Sequence, residues 1–408
     1  MTTMSTFLPG EGAEETEAAR SAARAVYGVP DAVRELWQEA PVREFRAGDT
    51  ADGRDGWLVT GMREVRGVLS DPRFSRAEAR RIGAVDELST VSENNAPAGA
   101  RLRHLLAKSF SARRSHAPRA RVQQLTDGLI RPLLDAGPPA DLVTGLCRPL
   151  PLLVVFDVLG CPPQDLERVG GWAERVTATD THPPEESQRA FQAIIGYMTG
   201  LVEAKRREPD DSLLRELVTA CDDQGWLSER ELIHSACGLL LAGNETTATV
   251  LGKGLLALLD HPEQLAALRA DPSLLPAAVE EVLRYVPLST RPYGGQVRAT
   301  TCDVELGGAT IPAHSAVFAN SQAANLDPEA FADPTRFDIT RAGAAQHVTF
   351  GYGPHYCLGA QLARTELEVA FGSVLAAFPG LRLTVPAAEL PPAPGGLVVG
   401  LRELPVTW

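Results

Sequence analysis

An apolar helical pattern of unusual length constrains this chain most. It opens at Ser228 and Glu231, which have the spacing of a capping box, and runs to Asp260 before His261-Pro262. At 1.5 Å per residue such a helix is roughly 50 Å long, enough to cross a whole domain. A helix apolar on nearly all sides is buried, so the remaining chain must wrap around it. Its middle departs from the pattern. Leu239-Leu-Leu-Ala-Gly-Asn-Glu-Thr-Thr-Ala-Thr249 puts Gly243, Glu245, Thr246 and Thr247 among core positions. Glycine weakens a helix, and a buried carboxylate without a partner costs more. Two readings stand side by side. The helix is kinked at Gly243 with Glu245 on a water-filled edge, or it opens locally beside a ligand, where an acid and a hydroxyl manage protons.

Elsewhere long helical patterns dominate and strand signals are short. Trp57–Thr60 reads as a strand that gives way at Gly61 to a helix over Glu64–Leu69, stopped by Asp71-Pro72. Strand patterns return near 297–320, with Val304-Glu-Leu-Gly-Gly, Ile311 and Val317-Phe318, and again over 381–408. The class expected is mainly α with small β-sheets. No flexible linker or internal repeat divides the chain, so 26–408 reads as a single domain behind a loose, acidic tail over 1–25. With 408 residues and 44% apolar content, that domain can bury a large core and still house a cofactor.

The segment Phe350-Gly-Tyr-Gly-Pro-His-Tyr-Cys-Leu-Gly359 packs three glycines and a proline around one cysteine, and a clean helical pattern starts at Ala360. Cys357 therefore sits in a tight loop at a helix N-terminus, where backbone N–H groups and the helix dipole favour a thiolate. Such a thiolate is a nucleophile or a metal ligand; the plain alternative is a small buried apolar residue. The other five cysteines (147, 161, 221, 237 and 302) form no CxxC pair and supply no tetrahedral zinc site. A single thiolate suits the axial position of a haem.

This loop resembles the haem-binding loop of the cytochrome P450 family, matched at Phe350, Gly353, His355, Cys357 and Gly359. Three further stretches resemble family motifs in the right order. They are Ala242-Gly-Asn-Glu-Thr-Thr247, Glu281-Val-Leu-Arg284, and the run from Ala323 through Pro334-Thr-Arg-Phe-Asp338. The likeness extends from about Trp57 to Trp408. It implies the cytochrome P450 fold, with the long central helix over a buried haem b, and the activity of a haem-thiolate monooxygenase.

The same resemblance implies a role for each matched residue. Cys357 would ligate the iron, while Phe350, Gly351, Gly353 and Gly359 of the loop and Ala242 and Gly243 of the helix would shape the haem site. Glu245 and Thr246 would steer protons toward bound O2, although a buried threonine often bonds its own i−4 carbonyl instead. Glu281 and Arg284 would form a buried structural set with Arg336. The haem propionates would fall to His355, Arg298 and Arg103. The family often has a histidine four residues before that arginine; here the position is Gly99, and His104 lies about 100° around the helix from Arg103. Residues 77–98, as a loop, and 286–297, with Arg291 and Tyr293, would line the substrate pocket.

A net charge of −13 argues against nucleic acid as a partner, because neutralising phosphates takes an excess of cations. Residues 101–121 nonetheless hold seven Arg/Lys and no acid. That run is either a solvated face or a docking patch for an acidic ferredoxin or flavodoxin, which with its reductase would pass on electrons from NAD(P)H. The opening residues have neither a basic region nor an apolar one, and the most apolar stretch, 142–160, is broken by Arg148, Pro149, Pro151 and Asp157. A monomeric cytoplasmic enzyme without a membrane anchor is expected. Its reaction would be hydroxylation or epoxidation of a medium-sized organic molecule in specialised-metabolite biosynthesis. The alternative is oxidative C–C or C–N coupling, as of a cyclic dipeptide, without oxygen insertion. A non-catalytic haem binder or gas sensor is a further class, against which Glu245-Thr246 argue.

Overall fold

In the computed structural model, residues 26–28, 40–45, 55–84, 103, 116–178, 182–288, 295–391 and 398–408 are described. The tail 1–25, Gly99, His104, Arg291, Tyr293 and most of the basic run lie outside them. Six helices position the site: α1 (Met62–Ser70), α2 (His116–Ala136), α3 (Pro149–Leu159), α4 (Glu229–Asp260), α5 (Leu275–Tyr285) and α6 (Ala360–Ala377).

The long pattern folds as one helix, α4. The Ser228 hydroxyl accepts from the Glu231 N–H and the Glu231 carboxylate accepts from the Ser228 N–H at 2.7 Å, the reciprocal cap its spacing predicts. From Thr247 to Leu258 every residue of α4 is buried. Two cores meet along it. The N-terminal half, with Leu232, Ala236 and Leu240, packs on Val169, Ile194, Met198 and Leu217 of the helices Leu166–Thr177, Pro184–Arg207 and Leu213–Asp222. The C-terminal half, with Leu251, Leu255 and Leu256, packs on Val279 and Val282 of α5 and on Phe371 and Val374 of α6.

α4 stays helical through Gly243. A Cβ at Gly243 would lie 2.7 Å from Val155 Cγ2, so the glycine serves the close crossing of α3 rather than a break.

The strands are β1 (Val42–Phe45), β2 (Gly56–Val59), β3 (Phe74–Ser75), β4 (Ala140–Asp141), β5 (Gln296–Thr300), β6 (Val304–Leu306), β7 (Ala309–Ile311), β8 (Ala316–Ala319), β9 (Arg382–Leu383) and β10 (Pro405–Thr407). They form a five-stranded sheet of order β1-β2-β8-β5-β3, a three-stranded sheet β4-β10-β9 and the hairpin β6-β7. Within the large sheet β2 pairs parallel to β8, and Arg298 of β5 stands opposite Val317. The loop expected over 77–98 begins instead as a helix, Arg76–Arg81, because the Ser75 hydroxyl caps it by accepting from Glu78 N–H at 3.2 Å. Among the described residues no helix is long and apolar enough to cross a membrane.

Candidate active site

Cys357 lies in the turn that precedes α6. Its N–H donates to the Phe350 carbonyl at 2.8 Å, closing the loop on itself. Gly351 and Gly353 adopt φ of 76° and 68°, the left-handed region that favours glycine. A Cβ on Gly353 would also meet the backbone of Leu69 and Ser70 at 3.0 Å, where α1 ends. Cys357 is exposed by surface area, although protein atoms crowd around its thiol. Burial pushes its thiol upward; the N–H groups of Gly359 and Ala360 and the charges of Arg103 and Arg364 oppose that. Those opposing groups are what a bound thiolate requires.

His355, two residues earlier, is ringed by cations. Burial first, then the charges of Arg76, Arg298 and Arg103, push its pKa down to about 3, so the imidazole is neutral near pH 7. Arg298 is 2% exposed, and Gln296 Oε1 accepts from both Arg298 and Arg76 at 3.3 Å. Arg103 donates to the Tyr356 carbonyl, directly beside Cys357. Three guanidinium groups around a neutral histidine form a receptor for carboxylates. Arg76 and Gln296 were not expected from the sequence. Their signal would have been the pairing of β3 with β5, which brings the segment after Phe74-Ser75 to the Gln296 end of β5.

On α4, Ala242 is exposed and Gly243 through Thr246 are half-buried, just before the fully buried run Thr247–Leu258. Burial raises Glu245 above the usual carboxylate range, with Arg148 opposing and Glu174 adding to the shift, so its carboxyl holds a proton to higher pH. Thr246 takes the plainer of its two expected roles: its hydroxyl donates to the Ala242 carbonyl at 2.6 Å. The i−4 acceptor is always within reach on a helix and needs no partner from elsewhere, and the hydroxyl oxygen still has room to accept.

The Glu281–Arg284 pair is fully buried at 2.7 Å, as expected, but its third member is Arg341 and not Arg336. Arg341 Nε stands 3.1 Å from both Glu281 oxygens, whereas the Arg336 side chain is 65% exposed and 3.9 Å from Asp338. The physical reason is backbone direction. The turn at 333–338 points the Arg336 carbonyl inward, where it accepts from Arg284 and Arg341, and so turns its side chain outward.

The donor set fits a haem: one thiol beneath backbone N–H groups, a cationic and imidazole cluster for two carboxylates, and a small-residue strip on α4. Comparison with known proteins agrees. The family model for cytochrome P450 matches residues 179–403. Nocardicin C N-oxygenase of Nocardia uniformis subsp. tsuyamanensis is 43% identical over 366 residues, 87% of this chain and 90% of that protein. Mycinamicin IV hydroxylase/epoxidase of Micromonospora griseorubida is 39% identical over 382 residues, 92% and 94% of the two chains. The crystal structure of SgvP, a putative thioether synthase involved in the tailoring step of griseoviridin, superposes with a TM-score of 0.87 at 39% identity, covering 93% of this chain and 96% of that one.

Proposed function

The chain belongs to the cytochrome P450 family, a haem-thiolate oxidoreductase, and from that premise we propose that it monooxygenates a medium-sized natural product. The bound haem supplies O2 activation at its iron. The protein supplies the rest. Cys357 would hold the metal; Arg298 and Arg103, joined by Arg76, would neutralise the propionates, with the neutral His355 imidazole as a hydrogen-bonding partner among them; Phe350, Gly351, Gly353 and Gly359 shape the loop. Ala242 would keep α4 free of bulk toward the haem, while Gly243 lets α4 lie close against α3. Glu245, whose carboxyl burial shifts toward the protonated form, would relay protons, and the Thr246 hydroxyl would take part in that relay. Electrons arrive from a ferredoxin or flavodoxin with its reductase, and the enzyme works as a cytoplasmic monomer.

The observation that carries this reading is the thiol held under two backbone N–H groups two residues from His355, around which Arg76, Arg103 and the buried Arg298 gather. The reduced protein under carbon monoxide is expected to show the strongly red-shifted Soret band of a thiolate-ligated haem, lost in Cys357→Ser. A band indifferent to the cysteine would sink the reading. The likeness to SgvP, a putative thioether synthase, favours one second outcome, oxidative coupling without oxygen insertion. Turnover under labelled O2 separates the two, since only an inserted oxygen carries label.

A further inference from the structure

Helix α5 carries two consecutive glutamates that serve different parts of the chain. Glu281 binds Arg284 and Arg341, and through Asp338 N–H it holds the segment 333–341. Glu280 instead faces the stretch that bears Cys357. Its carboxylate accepts from Arg364 Nε at 2.5 Å and Nη2 at 3.1 Å, and lies 3.1 Å from His347 Nε2. All three side chains are largely out of solvent.

Two arms run from this junction to the cysteine loop. Arg364 lies 4.7 Å over the Phe350 ring and donates to the Tyr356 hydroxyl at 3.2 Å. His347 accepts from the Thr349 N–H at 3.2 Å through Nδ1, and its ring packs 5.7 Å from that of Phe350. Phe350 in turn accepts from the Cys357 N–H, and Tyr356 precedes it. Both arms therefore grip the segment that leads into the cysteine, at Phe350 and Tyr356. Charge follows the same route: Arg364 is one of the cations that favour the Cys357 thiolate. Beside Glu280 it is half of a near-neutral pair; alone it would be an uncompensated cation in a low-dielectric setting.

We propose that Glu280 is a positioning residue for the cysteine loop which, by neutralising Arg364, sets how readily the bound haem takes up its electron. This rests on Cys357 as the haem ligand. Reduction adds negative charge to the haem–thiolate unit, so a bare cation nearby favours the reduced form and loss of the cation disfavours it.

Redox titration of the purified holoenzyme, with the carbon monoxide spectrum recorded alongside, tests it. Glu280→Gln removes the negative charge and keeps the shape; its reduction equilibrium constant is expected to rise about three- to tenfold, tenfold being about 59 mV for one electron. Arg364→Gln is expected to lower that constant by a similar factor, and the double variant to return near wild type. A merely structural role would lower the melting temperature in all three and produce no such reversal of sign. Shifts of the same sign, or none, in variants that keep the thiolate Soret band would overturn the proposal. If Glu280→Gln does not load haem, Arg364→Gln alone decides, because an unchanged or raised constant in it contradicts the charge argument. Absence of the thiolate band from the wild type would be a failure of the ligand reading instead.

Discussion

Arg341 and Arg336 are five residues apart and chemically identical, yet only one is placed to matter for stability. Arg341 closes a fully buried ion set with Glu281, so its removal leaves a buried carboxylate short of a partner. Arg341→Ala is expected to cost about 3 kcal/mol or more. Arg336→Ala, at a mostly exposed side chain, is expected to stay within about 0.5 kcal/mol. Urea unfolding of the two variants checks both values. Equal losses would mean that the inward carbonyl of Arg336 does not set the direction of its side chain.

At the scale of the element, α4 combines a glycine that weakens helices with a neighbour that needs it. Gly243→Ala improves helix propensity by about 1 kcal/mol, but its methyl would sit 2.7 Å from Val155 Cγ2. Overpacking of that kind costs about 1–3 kcal/mol, so a net loss of up to about 2 kcal/mol is expected. Adding Val155→Ala should recover most of the overpacking cost, as read by thermal melts. A Gly243→Ala variant more stable than wild type would show that α3 gives way easily and that close crossing does not explain the glycine. The same helix carries Thr246, whose resting bond to Ala242 has to be broken or bypassed whenever its hydroxyl donates elsewhere.

At the scale of the molecule, Lys253 reports on global stability. It is 0% exposed, donates to the Pro287 carbonyl at 3.1 Å, and burial pushes its pKa down from 10.5 to about 7. Between these two values the unfolded chain holds a proton that the folded one has released, so unfolding takes up a proton. Stability therefore rises with pH from about 7 to 10.5, and below pH 7 the cost of burying the charge is fully felt. Urea midpoints at pH 7, 8 and 9 are expected to climb in the wild type and to climb less steeply in Lys253→Met. Parallel slopes would mean that the lysine does not titrate inside the fold.

Local signals determined much of this molecule. The Ser228–Glu231 cap, the length of α4, the short strands near 304–318 and the glycine-framed loop at Cys357 are all legible in the chain, because each depends on residues within a few turns of one another. His355, Arg298 and Arg103 were legible only as motif matches, and the fold then added Arg76 to them. What tertiary structure alone decided are the distant pairings. Glu281 meets Arg341 across 60 residues and Glu280 meets Arg364 across 84, while an equally plausible Arg336 points to solvent. Periodicity shows which face of a helix is buried but not what meets it. That choice depends on how the backbone between the two partners turns, as it does at 333–338, and on which side chains its direction sends inward.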